Sequence, residues 1–233
     1  MYDERLKQSL PRVQDSIAAA LARAGRTDAV RLIAVTKGHA VAAVAAAARA
    51  GITAVGENRV QELDEKRTAS ADALPALHWH LIGHLQRNKA RRAITLFDLM
   101  HSVDSPRLAR ALSDEAVRAS VIVHALVQVN VSGEATKGGF EGGAVVERIV
   151  EVSELPGLHV HGLMTMAPFT DDETVIRGTF AATRVLLERC ARAGALLHGR
   201  ELSMGMSSDY ELAIEEGSTM VRIGTTLFGE RET

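Results

Sequence analysis

The residues best placed to do chemistry are one lysine, two Gly/Ser/Thr loops and one arginine. Lys37 follows Leu32 to Thr36, residues that are apolar or small, so its side chain leaves a buried strand rather than a solvated helix face. Burial disfavours an ammonium and depresses its pKa, the condition for a lysine nucleophile that forms a Schiff base with an aldehyde or ketone. A lysine that has merely reached solvent at a strand end would look the same. The loops read Gly205-Met206-Ser207-Ser208-Asp209 and Gly224-Thr225-Thr226. Glycine lets a backbone approach an anion, and the hydroxyls supply short donors, so both loops fit a phosphate ester. Their alternative role is capping, with Ser208 or Asp209 as N-cap of a helix through Ala213 and Glu216 and Gly224 as a plain turn. Arg222 lies in a strand where it shares one face with Met220, while Val221 and Ile223 take the other. On an inward face it needs an anionic or acceptor partner, and a structural ion pair would satisfy it equally well.

Other polar signals are weaker. His78, His80 and His84 have no adjacent carboxylate or cysteine to complete a metal set, and strand histidines making hydrogen bonds are the expected reading. His159 and His161 repeat that pattern. Cys190 sits within VLLERCARA as small core filler. There is neither a Walker phosphate loop nor a GxGxxG dinucleotide fingerprint.

The elements that must position these residues come in a regular series. Short β-branched or apolar runs begin near Arg31, Thr53, His78, Leu99, Ile122, Leu158, Glu201 and Met220, eight in all. Alanine-rich or amphipathic stretches lie between them, such as 41–50, 107–119, 144–155 and 174–193. That alternation predicts an α/β fold, a (β/α)8 TIM barrel, rather than an open doubly wound sheet. A further helix over 4–24 carries Leu6, Leu10, Val13, Ile17 and Leu21 on one side and should pack outside the barrel or cover one end. No linker or composition shift marks a boundary, so the expectation is a single domain, with a leading helix in 1–26 and the barrel over 31–229. In such barrels function sits where the βα loops follow the C-terminal strand ends, and phosphate commonly binds after strands seven and eight. Lys37 ends the first strand, and both Gly/Ser/Thr loops fall at those last two positions.

Composition narrows the partners. The 233 residues are 46% hydrophobic and 24% charged with net charge −2, and Lys89, Arg91 and Arg92 form the largest basic group, so nucleic acid is not the expected partner. No apolar run reaches spanning length, the first residues are charged, and one cysteine suits a reducing compartment, so a cytoplasmic chain is expected.

A Schiff-base lysine, a phosphate cradle and an arginine in one barrel mouth suggest pyridoxal 5′-phosphate, whose aldehyde, phosphate and pyridine nitrogen call for those groups. The sequence also resembles the pyridoxal phosphate homeostasis proteins, single-domain relatives of the alanine racemase barrel. The resemblance rests on AVTK (Ala34 to Lys37), GENRVQE (Gly56 to Glu62), HWHLIGHLQRNK (His78 to Lys89), NVSGEATKGG from Asn130, GLMTM (Gly162 to Met166) and the run Leu202 to Arg231. It implies that Lys37 carries the cofactor as an internal aldimine and that Ser207, Gly224 and Thr225 hold its phosphate. It further implies that Arg222 faces the pyridine nitrogen and that Asn58, Met204 and Met206 line the cofactor. His39, in a segment that varies within the family, receives no role, and Lys89 and Lys137 are only candidate secondary sites for an aldehyde. A guanidinium opposite the ring nitrogen weakens the ring as an electron sink, and the chain's length leaves no room for a racemase's second domain. The expected function is therefore a non-catalytic carrier or buffer that delivers the cofactor to apoenzymes, and the resemblance implies a monomer. The rival readings are an amino-acid racemase with Lys37 as its base and a cofactor-free Schiff-base aldolase.

Overall fold

The computed structural model describes residues 1–70, 77–134 and 138–230. Eight parallel strands close into a barrel in sequence order: β1 (Arg31–Val35), β2 (Ala54–Glu57), β3 (His78–Leu81), β4 (Leu99–Val103), β5 (Val123–Gln128), β6 (Leu158–Met164), β7 (Glu201–Ser203) and β8 (Met220–Ile223). Closure is made by β8 against β1, where Arg31 pairs with Met220 and Ile33 with Arg222. Each run read as a strand in the sequence is one.

The helices are α1 (Tyr2–Arg23), α2 (Val41–Arg49), α3 (Val60–Ser70), α4 (Ala90–Ala93), α5 (Pro106–Ala119), α6 (Val145–Ser153), α7 (Glu173–Arg192), α8 (Tyr210–Glu215) and α9 (Thr225–Phe228). Local chemistry sets their starts. Ser105 accepts a hydrogen bond from Leu108 N with Pro106 behind it, and Asp172 accepts from Thr174 and Val175 N. The leading helix buries Leu6, Leu10 and Val13 with Ile17 and Leu21 half-buried, and it packs outside the barrel on α2, α8 and α9. Among the described residues no helix is long and apolar enough to cross a membrane.

Strand alternation divides the core into two layers. Ile33, Ala54, Leu99, Leu126, Met164 and Met220 form a cluster within the barrel. Their strand neighbours, such as Ala34, Val55, Met100, Ala125, Leu163 and Val221, join the larger layer between strands and helices, where Cys190 is also buried. Burial pushes the Cys190 thiol up to about 11.

Candidate functional site

Lys37 stands on a tight turn at the end of β1. His39 N donates to Thr36 O at 3.0 Å, and Gly38 takes φ +71° at the third position, the geometry that a type II turn demands of its glycine. The turn is held from below by a buried ionic cluster. Lys66 Nζ of α3 donates to Thr36 O at 2.7 Å, to Glu57 Oε1 at 2.8 Å and to Glu62 Oε1 at 2.8 Å. Glu62 Oε1 also accepts from Gly38 N at 2.6 Å, so both peptides flanking Lys37 end on the same ion pair. Glu57 is fully buried with its Oε2 unpartnered, and that burial pushes its carboxyl above the usual range against the bonds from Lys66 and Thr36. For Glu62 burial acts in the same sense, but the bonds from Lys66 and Gly38 outweigh it and its pKa falls.

The lysine opens onto a cavity of about 770 Å³ at the C-terminal mouth of the barrel. That size suits a small ligand. Lys37, Asn58, Met206, Ser207, Arg222, Gly224 and Thr225 all line it. Met204, expected beside them, does not. It follows the inward-facing Ser203 by one residue, so alternation turns it outward, and it is fully buried in the strand–helix layer. Lys89 ends a short 3₁₀ turn (Arg87–Lys89) away from the cavity lining, and Lys137 lies outside the described residues.

Arg222 takes the inward face and is 4% exposed. Its Nη1 donates to Ser203 O at 2.8 Å and Ser203 Oγ at 2.6 Å, and its Nη2 donates to Thr165 O at 3.0 Å. These acceptors are neutral, so they do not form the ion pair that was the alternative for it. Burial pushes the guanidinium down to about 10, partly opposed by Asp209, which leaves it charged at neutral pH.

The last two loops meet at Ser207. Its Oγ accepts from Gly224 N and Thr226 N, each at 3.4 Å, long contacts whose donors are weakly engaged. Gly205, at φ +90°, lets α8 pack close, since a Cβ there would come within 2.6 Å of Ala213. Asp209 occupies the N-cap position of α8, yet its carboxylate makes no cap bond and accepts from Met206 N at 2.6 Å. The loop is thus shaped by Asp209 while Ser207 stays at the cavity.

Some lining residues were not anticipated. His39 is buried against Tyr2 of α1 and Phe228 of α9, with its Nδ1 3.4 Å from the tyrosine hydroxyl, which ties the lysine turn to the leading helix. His84 Nδ1 lies 2.7 Å from Asp104 Oδ2 on the opposite rim. Gly83 allows the β3 loop to touch Asn58, whose carbonyl oxygen would be 2.5 Å from a Cβ. Among the strand histidines, His80 pairs with His101 and His124 with His161, and His159 stacks on His198.

Comparison with known proteins gives concordant results. Residues 9–232 match the family described as alanine racemase, N-terminal domain. A pyridoxal phosphate homeostasis protein of Aquifex aeolicus is 40% identical over 232 residues, 98% of each chain. The protein of that name from Escherichia coli K12 is 38% identical over 97% of both chains. The structure of PipY from Synechococcus elongatus with PLP bound is 39% identical and superimposes with a TM-score of 0.81, covering 91% of this chain and all of that one.

Proposed function

The chain belongs to the pyridoxal phosphate homeostasis protein family, and on that premise we propose that it binds pyridoxal 5′-phosphate in the 770 Å³ cavity as a carrier of the cofactor in the cytoplasm. One observation carries this reading: a lysine, a buried arginine and a loosely engaged donor set at Ser207 converge on one cavity, where among the described residues the one lining carboxylate, Asp104, is held by His84. Those groups answer an aldehyde, a ring nitrogen and a phosphate respectively. Lys37 Nζ would provide the covalent attachment, Ser207 with the Gly224 and Thr225 backbone would hold the phosphate, and Asn58 and Met206 would line the ring. When bound, pyridoxal phosphate supplies a reactive aldehyde and a ring that can accept electrons.

Arg222 supports the carrier role. A guanidinium has donors and no acceptor, so opposite a ring nitrogen it leaves that nitrogen without a proton and the ring a weak electron sink. Apoenzymes of pyridoxal phosphate are the partners such a carrier would serve, and the chain would act as a monomer. The racemase alternative has one observation in its favour, the His84–Asp104 pair on the same cavity. Incubation of the loaded protein with L-alanine in heavy water separates the two. The carrier predicts no α-proton exchange at enzymatic rates, and exchange that disappears in His84→Ala would establish the racemase.

A further inference from the structure

The barrel interior holds a line of hydrogen bonds that the cavity chemistry above leaves unused. His80 of β3, His101 of β4 and Ser203 of β7 stand on inward positions beside Arg222, at most 2% exposed. Arg222 Nη1 donates to Ser203 Oγ at 2.6 Å, Ser203 Oγ lies 2.8 Å from His101 Nδ1, and His101 Nε2 lies 2.8 Å from His80 Nδ1. The guanidinium can only donate. Ser203 Oγ accepts from Arg222, which leaves its own hydrogen available to His101 Nδ1. A neutral His101 with Nδ1 as acceptor carries its hydrogen on Nε2, and it gives that hydrogen to Nδ1 of His80. His80 in turn carries its hydrogen on Nε2. The reverse run, with His101 Nδ1–H donating to a doubly accepting Ser203 Oγ, fits the same distances, and the ring tautomers distinguish the two.

The surroundings keep both rings neutral. Arg31 and His78 face His80, while His80, Arg222 and Arg31 face His101. Asp209 bears on Arg222 from the loop after β7. Burial is the larger cause that lowers both imidazoles, and the arginines Arg31 and Arg222 act in the same sense. With both Nη1 hydrogens and one on Nη2 committed to Ser203 and Thr165, the remaining donors are the second Nη2 hydrogen and Nε–H.

We propose that Ser203, His101 and His80 form a one-way hydrogen-bond chain through the barrel interior that fixes the orientation of Arg222 and makes it a donor to an unprotonated ring nitrogen in the cavity. They are positioning residues, and none lines the cavity itself. The inference rests on the pyridoxal phosphate reading only for what Arg222 addresses; the chain itself belongs to the protein without cofactor.

The test is long-range ¹H–¹⁵N correlation NMR of the histidine rings, recorded without cofactor between about pH 5 and 8. The expected result is a neutral Nε2–H tautomer for both His80 and His101. A neutral Nδ1–H tautomer or an imidazolium at either ring overturns the chain. Ser203→Ala removes the relay hydroxyl, with Ser203→Thr as the conservative control. In Ser203→Ala the His101 signals should move to a tautomer mixture. Pyridoxal phosphate should dissociate about tenfold more readily, its bound absorption band should shift, and Ser203→Thr should restore both. A folded Ser203→Ala protein with unchanged His101 signals, band and affinity overturns the proposal. If wild type binds no pyridoxal phosphate, the cofactor reading falls while the tautomers still decide the chain.

Discussion

Gly38 is the residue on which the lysine turn depends. An alanine there meets the steric penalty of the left-handed region, so Gly38→Ala should lower stability by about 1–2 kcal/mol in urea unfolding and weaken pyridoxal phosphate binding as Lys37 shifts. The Lys-Gly pair was visible in the sequence, but no element boundary placed it at the third position of a four-residue turn. Met204 illustrates the opposite failure. It entered the expected site through its motif, whereas period-two alternation from Ser203 would have turned it outward. Binding should therefore distinguish the two methionines. Met206→Ala should weaken cofactor affinity severalfold by fluorescence titration, and Met204→Leu should leave it within about twofold, since a volume-conserving core swap is tolerated.

Among the elements, β2 and α3 do more than enclose the barrel. Their Glu57, Glu62 and Lys66 hold the peptides on either side of Lys37. Lys66→Met leaves a buried carboxylate without its cation, which should cost about 3–5 kcal/mol in urea unfolding. Glu57→Gln added to Lys66→Met should recover a large part of that loss, because the uncompensated charge is gone; equal stability of single and double variants would contradict the clamp. The strands and main helices were legible because each strand is a short apolar run between punctuated, periodic helices. The clamp was not, since an i,i+4 Glu62–Lys66 pair reads as an ordinary solvated helix pair and only tertiary packing buries it. That Arg222 shares a face with Met220 was legible from alternation, but which face points inward was not, and its three neutral acceptors on β7 and the β6 loop belong to strands distant in sequence.

For the whole molecule, the buried histidines give stability a definite pH dependence. Unfolded, His80 takes its proton near the ordinary 6.5; in the barrel burial, with Arg31 and His78, lowers that to about 3. The unfolded chain thus binds more protons between those values, so the stabilisation is complete above about pH 6.5 and is lost as pH falls. His80 alone should account for about 2 kcal/mol of loss between about pH 7 and 5. Urea unfolding at both pH values tests this, because in His80→Gln the loss should shrink by that amount, and an unchanged loss would contradict a neutral His80. The architecture was foreseeable from eight βα alternations, and the convergence of Lys37, Arg222 and Ser207 on one cavity followed from their strand ends. The most direct measurement of the central claim is borohydride reduction of the pyridoxal phosphate-loaded protein followed by peptide mapping. The predicted result is a single pyridoxyl label on Lys37 and loss of the visible absorption band in Lys37→Ala; a label on another lysine, or none, would contradict it.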